Sequence, residues 1–202
     1  GATASFANAA STLVVPFSFG PQLSDSTAYS IAVSQFDPSL GTLISVSVSA
    51  TATTSGGSVT FTAGDPGGAG NRTLTIASSV SIDGPVSISL NPVPSESESF
   101  TVVDGEEVSL TGNGGTDFDT QAVSAPGDDL SPYTGVGTFN FSIQGDSATG
   151  STGTATGSTV DVAPDYSVNG SVTYTYDALI PEPSSTALLG LAGLGLILRR
   201  RK

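Results

Sequence analysis

The stretch "ISVSVSATA", residues 44–52, constrains the fold of this chain more than any other. Ile44, Val46, Val48, Ala50 and Ala52 occupy every second position, with Ser or Thr between them. Successive side chains of a strand point to opposite faces, so this spacing buries one face and wets the other. A helix, with its period of 3.6, would scatter the same residues around its axis. "LVVPFSF" repeats the pattern with Val15, Phe17 and Phe19, and "YSIAV" with Tyr29, Ile31 and Val33. "VTFTA", "RTLTIA", "VSISL", "FTVV", "VSLTG", "FNFSI" and "VTYTY" follow. Turn-forming clusters such as "GDPGGAGN", "DGEE", "GNGGTD" and "APGDD" separate them. The expectation is an all-β body over residues 1–177: an antiparallel β-sandwich of about nine or ten strands. "ATGSTGTATGST", residues 148–159, is low-complexity and fits a floppy hairpin loop or a thin edge strand; a long hairpin arm leading to the last strand is the favoured reading.

Charge narrows the partners. Of the five basic residues, four stand at the C-terminus as Arg199, Arg200, Arg201 and Lys202; the fifth is Arg72. Residues 1–198 therefore carry 18 acids against one base, a net charge of −17. Phosphate backbones require clustered Lys and Arg, so nucleic acid is excluded as a partner. There is no Cys, hence no disulfide and no thiolate metal site. The chain opens on Gly1 with "GATASFANAA", which has neither a charged n-region nor an apolar core. The expectation is a signal peptide already removed, in keeping with export.

The last residues read differently from the body. Residues 187–202 hold a hydrophobic run, Ala187 to Leu198, followed directly by the basic cluster Arg199–Lys202, the order of a stop-transfer anchor. The apolar run is shorter than the ~20 residues of a full span and reaches that length only with the preceding segment. That segment, 178–186, reads as a linker and contains Pro181-Glu182-Pro183. Its two prolines block helix entry and keep the motif extended outside a bilayer. The expectation is a single C-terminal helix with the basic cluster on the cytoplasmic side. Pro-Glu-Pro, a short Leu/Ala/Gly helix and a terminal basic cluster together resemble the PEP-CTERM sorting signal. The resemblance implies export in a Gram-negative, often exopolysaccharide-producing bacterium and anchoring in the inner membrane. It also implies recognition by exosortase near Pro181-Glu182-Pro183, then release to the cell surface or the extracellular matrix of a biofilm.

A second resemblance reaches the body. "QFDPSLGTLISVSVSATAT", with "YTGVGTFNFSI" and "SVTYTYDALIPEP", is similar to the choice-of-anchor E domain, found ahead of alternative C-terminal anchors. That family implies no catalytic activity. In physical terms Phe36 can plug the core, Asp37-Pro38-Ser39 can turn, and Gly41 allows a tight backbone before the next strand.

Little else carries chemistry. Without His or Cys there is no Ser-His-Asp or Cys-His arrangement, and the chain is expected not to be an enzyme. A carboxylate pair could still hydrolyse a glycoside, and this is the weakest of the alternatives. Calcium, which takes 6–8 oxygen ligands, is the cofactor the acids suit, if there is one. Its candidate ligands are Asp104, Glu106 and Glu107 in "DGEE", Asp117 and Asp119 in "GTDFDT", and Asp128 and Asp129 in "GDDL". The plainer alternative is that these are solvated loop acids. Tyr133, Tyr174 and Tyr176 are candidates either for a sugar platform or for packing. The reading that fits the whole chain is a structural or adhesive surface protein associated with exopolysaccharide. A carbohydrate- or calcium-binding module is its alternative, and self-association through exposed strand edges is open to both.

Overall fold

The computed structural model describes residues 10–179. The PEP motif, the expected helix and the basic cluster lie outside the described residues. Among the described residues no helix is long and apolar enough to cross a membrane.

Among the described residues the body is all-β, as the alternation requires, with eleven antiparallel strands and two single 3-10 turns. They are β1 (Ala10–Leu23), β2 (Asp25–Ser34), β3 (Gly41–Ser55), β4 (Ser58–Ala63), β5 (Gly70–Asp83) and β6 (Ile88–Val102). Then come β7 (Glu107–Thr111), β8 (Gly115–Ser124), β9 (Thr138–Gly153), β10 (Gly157–Val162) and β11 (Asp165–Ala178). Two four-stranded sheets, β1-β11-β3-β8 and β2-β9-β5-β6, form the sandwich, and a small third sheet, β10-β4-β7, extends it.

Three features depart from the sequence reading. "VSISL" and "FTVV" are not separate strands: most of both lies in the single strand β6. "GTDFDTQAVS" is strand β8, where an acidic loop was expected. Residues 148–159 are not a hairpin arm. β9 runs through Gly153 against β5, the chain crosses over, and β10 pairs with β4 in the small third sheet.

The large core lies between the two main sheets. Val46, Val48, Ala50 and Ala52 of β3 and Tyr166, Val168, Val172 and Tyr174 of β11 face Val80, Ile82, Ile88, Leu90, Phe139, Phe141 and Ile143. Aromatic rings dominate it. Phe139 meets Tyr133 and Phe141 edge-on at centroid distances of 5.2 and 5.1 Å, the geometry that ring quadrupoles favour. Two inward glycines seat rings: a Cβ on Gly145 would run into Tyr166, and one on Gly170 into Phe17.

The small core gathers Val59, Phe61, Leu110, Leu74, Ile76, Val93 and Val102. Both cores share the β5–β6 ribbon. Its register shifts on either side of Ser78, opposite the segment that holds Pro92 and Pro94. Proline has no N–H for the ladder and bulges bend strands, so the ribbon turns there from one core to the other.

The Phe36 segment behaves as its residues suggest. Phe36 is fully buried, donates its N–H to the Tyr133 carbonyl at 2.8 Å and packs with its ring tilted against that of Tyr176, 4.9 Å between centroids. The Asp37 carboxylate accepts the Ser39 N–H at 2.8 Å and caps the Pro38–Leu40 turn. A Cβ on Gly41 would strike the Asp177 carbonyl, so only glycine lets β3 start so close to β11.

Candidate functional site

The acids are spread over three places, and each carboxylate already accepts a hydrogen bond from within the fold. Asp104, in the turn after β6, accepts the Ala69 N–H at 2.8 Å. Hydrogen bonds from Gly67 and then Ala69 hold its carboxyl below the ordinary value, and they tie two loops together. In the same turn the Glu106 carboxylate accepts the Val103 N–H at 2.8 Å, while Glu107, opening β7, accepts the Thr62 hydroxyl at 3.4 Å. Asp128 accepts the Ser124 N–H at 2.8 Å, and Asp129 the Ser131 N–H at 2.9 Å. The bond to Ser131 lowers the Asp129 carboxyl. The Asp129 bond is an Asx-type turn; the other carboxylates brace loops and a strand pair.

Asp117 and Asp119 do point the same way, as their spacing requires, but from a strand. They sit opposite Ala52 and Ala50 of β3, on the inward face of β8. Asp117 reaches across to the other sheet and accepts the Asn91 N–H of β6 at 2.8 Å. Asp119 accepts the Gln121 amide at 3.1 Å and the Thr120 N–H at 2.7 Å. Asp117 thus links the β8 and β6 edges of the sandwich. Among the described residues no three His, Cys, Asp or Glu side chains come together in a way that would hold a metal ion.

The tyrosines pack rather than present. Tyr133 and Tyr174 are 1% and 0% exposed, which takes both away from any sugar platform. Burial pushes the Tyr133 hydroxyl up to about 12 and the Tyr174 hydroxyl higher still. Tyr174 donates to the Ser34 carbonyl at 2.7 Å, whereas the Tyr133 hydroxyl has no partner. Tyr176 is half-buried against Phe36.

What the strands do present is the outer face of the β1-β11-β3-β8 sheet. Its central rows are Val14–Thr173–Ser47–Ala122, Pro16–Ser171–Ser49–Thr120 and Ser18–Asn169–Thr51–Phe118. None of these residues carries a charge, in a chain whose body is strongly acidic. Some hydroxyls pair across strands, Ser49 with Ser171 at 3.1 Å for example. The others are free to donate and accept. The sequence contained this surface as the "Ser or Thr opposite" half of the alternation. Its extent required the strand order.

Arg72, the single base of the body, is engaged inside the fold. It donates to Ser151 Oγ, to the Ser151 carbonyl at 3.0 Å and to the Ala155 carbonyl at 3.2 Å. Its guanidinium lies 4.4 Å from the centroid of the Phe61 ring. It therefore joins β5, the β9–β10 crossover and the small sheet.

β11 ends at Ala178, and Leu179 donates its N–H to the Leu40 carbonyl at 3.1 Å. The described residues end there, beside the Phe36 turn. Residues 179–202 match the PEP-CTERM protein-sorting motif. The PEP-CTERM motif marks an exported protein, held at the membrane until exosortase processes it. No curated protein matches the chain. Two solved structures align weakly. A mud crab tombus-like virus structure is 10% identical over 94% of this chain and 90% of its own, with a TM-score of 0.17. A structure of infectious bursal disease virus, Gx strain, is 11% identical over 91% of this chain and 47% of its own, with a TM-score of 0.14. Likenesses of this size bear on neither fold nor function.

Proposed function

We propose that this chain is a non-catalytic structural or adhesive protein of the cell surface or extracellular matrix, associated with exopolysaccharide. The observation that carries the reading is the PEP-CTERM motif joined directly to a compact β body. Processing of the motif would release that body as the functional product. The hydroxyl-bearing face of β1-β11-β3-β8 supports the polysaccharide part. Uncharged Ser and Thr can exchange hydrogen bonds with sugar hydroxyls. The acidic remainder of the surface would repel a polyanion, so any glycan would meet this face first. The likeness of "QFDPSLGTL" to the choice-of-anchor E domain belongs to the same reading, and the buried Phe36 and the Asp37-capped turn support it.

The test has two steps. Intact mass and cell fraction are measured with and without exosortase. A product that lacks the segment after Pro183 and is found outside the cell is expected. A full-length chain still in the inner membrane would confine it to the periplasm. The protein is then co-sedimented with exopolysaccharide from its host. Wild type is expected to pellet, and a Ser47→Glu/Ser171→Glu variant to stay in solution. Equal pelleting of both would detach the glycan from this face, and hydrolysis of the polymer would replace the structural reading with an enzymatic one.

A further inference from the structure

Very little chain separates the sorting motif from the body. β11 ends at Ala178, Leu179 is bonded to Leu40, and Pro181-Glu182-Pro183 begins two residues on. An extended residue spans at most ~3.6 Å, so Pro181 lies within about 7 Å of Leu179 and Pro183 within about 14 Å, whatever path the chain takes. A small folded domain is about 30 Å across. Exosortase gripping this motif is therefore wider than the tether that separates it from the sandwich. Its surface has to come against the end of the body where β11 stops and β3 starts.

That end carries an uncharged groove. β8 stops at Ser124, opposite Ser45, so among the described residues Gly41–Leu43 of β3 pair only with β11. The space left beside them, between the Pro38–Leu40 and Ser131–Tyr133 turns, is an open groove of about 510 Å³. Pro38, Thr42, Leu43, Leu130, Ser131 and Thr134 line it, and none of its lining residues carries a charge. Large apolar side chains stand exposed at the same end: Leu40 at 42%, Val136 at 89% and Leu179 at 64%. Val136 is held beside Phe36, because Gly135 donates its N–H to the Phe36 carbonyl and Gln35 donates to the Gly137 carbonyl. Exposed apolar groups rimmed by polar ones are the mark of an interaction surface.

We infer that this end of the sandwich is a second recognition surface for exosortase, contacted while the enzyme holds Pro181-Glu182-Pro183. The length of the tether selects this occupant. The chain's own tail is a poorer one, because a tail lying in the groove would hide the motif that the enzyme must reach. A bilayer is poorer too. Asp37 and Asp129 stand at the rim, residues 1–198 carry −17, and both repel an anionic surface. The same acids define what the enzyme must present: an apolar projection for the groove, with basic side chains beside it facing Asp37 and Asp129.

The full-length chain is expressed with its exosortase, and cleavage is followed by pulse-chase and intact mass. Leu40→Glu/Val136→Glu should be cleaved about fivefold more slowly than wild type, the effect of losing a modest interface contact. Val103→Glu/Val160→Glu, at exposed apolar residues beside the small sheet, is the control and should stay within about twofold of wild type. Melting temperatures show whether the bodies remain folded. If Leu40→Glu/Val136→Glu lowers its own, Ser131→Trp, which fills the groove from an exposed position, takes its place. Photo-crosslinking identifies the occupant. A photoreactive phenylalanine analogue in place of Thr42 should give an adduct with exosortase, and one in place of Val103 should give none. Equal cleavage of all variants, equal slowing of the control, no enzyme adduct from Thr42, or an adduct there to lipid or to residues beyond 179 would each overturn the inference and leave sorting by exosortase intact. Wild type left uncut in the presence of exosortase would overturn both.

Discussion

The two cores are roofed by the same β5–β6 ribbon, yet they are held together differently. The large core is packed by interlocking rings, with Phe141 touching both Phe17 and Phe139 at centroid distances of 5.4 and 5.1 Å. The small core has Phe61 and Phe100 as its rings, and a cation closes it: Arg72 lies over Phe61 and binds the β9–β10 crossover. Apolar burial scales with area, so a core with wide facing sheets needs no polar help. A core roofed on a three-stranded sheet gains from hydrogen bonds and from a cation on a ring face.

The comparison predicts a graded response. Phe141→Ala should destabilise the whole body by about 3–5 kcal/mol, the cost of emptying a large buried site. Chemical denaturation should show one transition moved to lower denaturant. If the loss were confined to β10 and β4, the large core would not be the common foundation. Arg72→Met should cost about 2 kcal/mol through the lost cation–π contact and charged hydrogen bonds. Amide exchange should accelerate first in β4 and β10, and uniform acceleration would mean that the two cores unfold as one unit. Tyr174→Phe should cost about 1 kcal/mol, because the Ser34 carbonyl loses its donor. Tyr133→Phe removes a hydroxyl without a partner and should leave the melting temperature nearly unchanged.

Alkaline pH tests the same buried rings. An unfolded tyrosine loses its proton near pH ~10, while burial holds the folded Tyr133 hydroxyl neutral up to about 12. The unfolded chain gives up its proton first, so stability is whole below pH ~10 and declines as the pH rises through about 12. Tyr174 acts in the same direction. Melting temperatures at pH 9 and 11 measure this, and the decline should be smaller in Tyr133→Phe.

Strands that bury an apolar face were legible along the chain. β3, with Val46, Val48, Ala50 and Ala52 inward, could hardly be anything else. β8 and β10 were not legible, for a physical reason. β8 turns Asp117 and Asp119 inward where alternation leads one to expect Val or Ile, and every residue of β10 is exposed. An edge strand can afford such residues because only one side of it is paired. The candidate calcium ligands show a related limit: a list of acids does not say which carboxylates are already engaged by backbone N–H groups.

By itself the sequence determined that the body is β, that its strands have one oily and one hydroxylated face, and that residues 179–202 form a PEP-CTERM motif. Period-two patterning and a contiguous motif are local properties, written in neighbouring residues. Only the tertiary structure decided that one ribbon serves two cores and that Arg72 closes the smaller one. Strand order depends on pairings between residues far apart in the chain, such as Ser49 with Ser171. No local pattern encodes which distant strand will supply the partner.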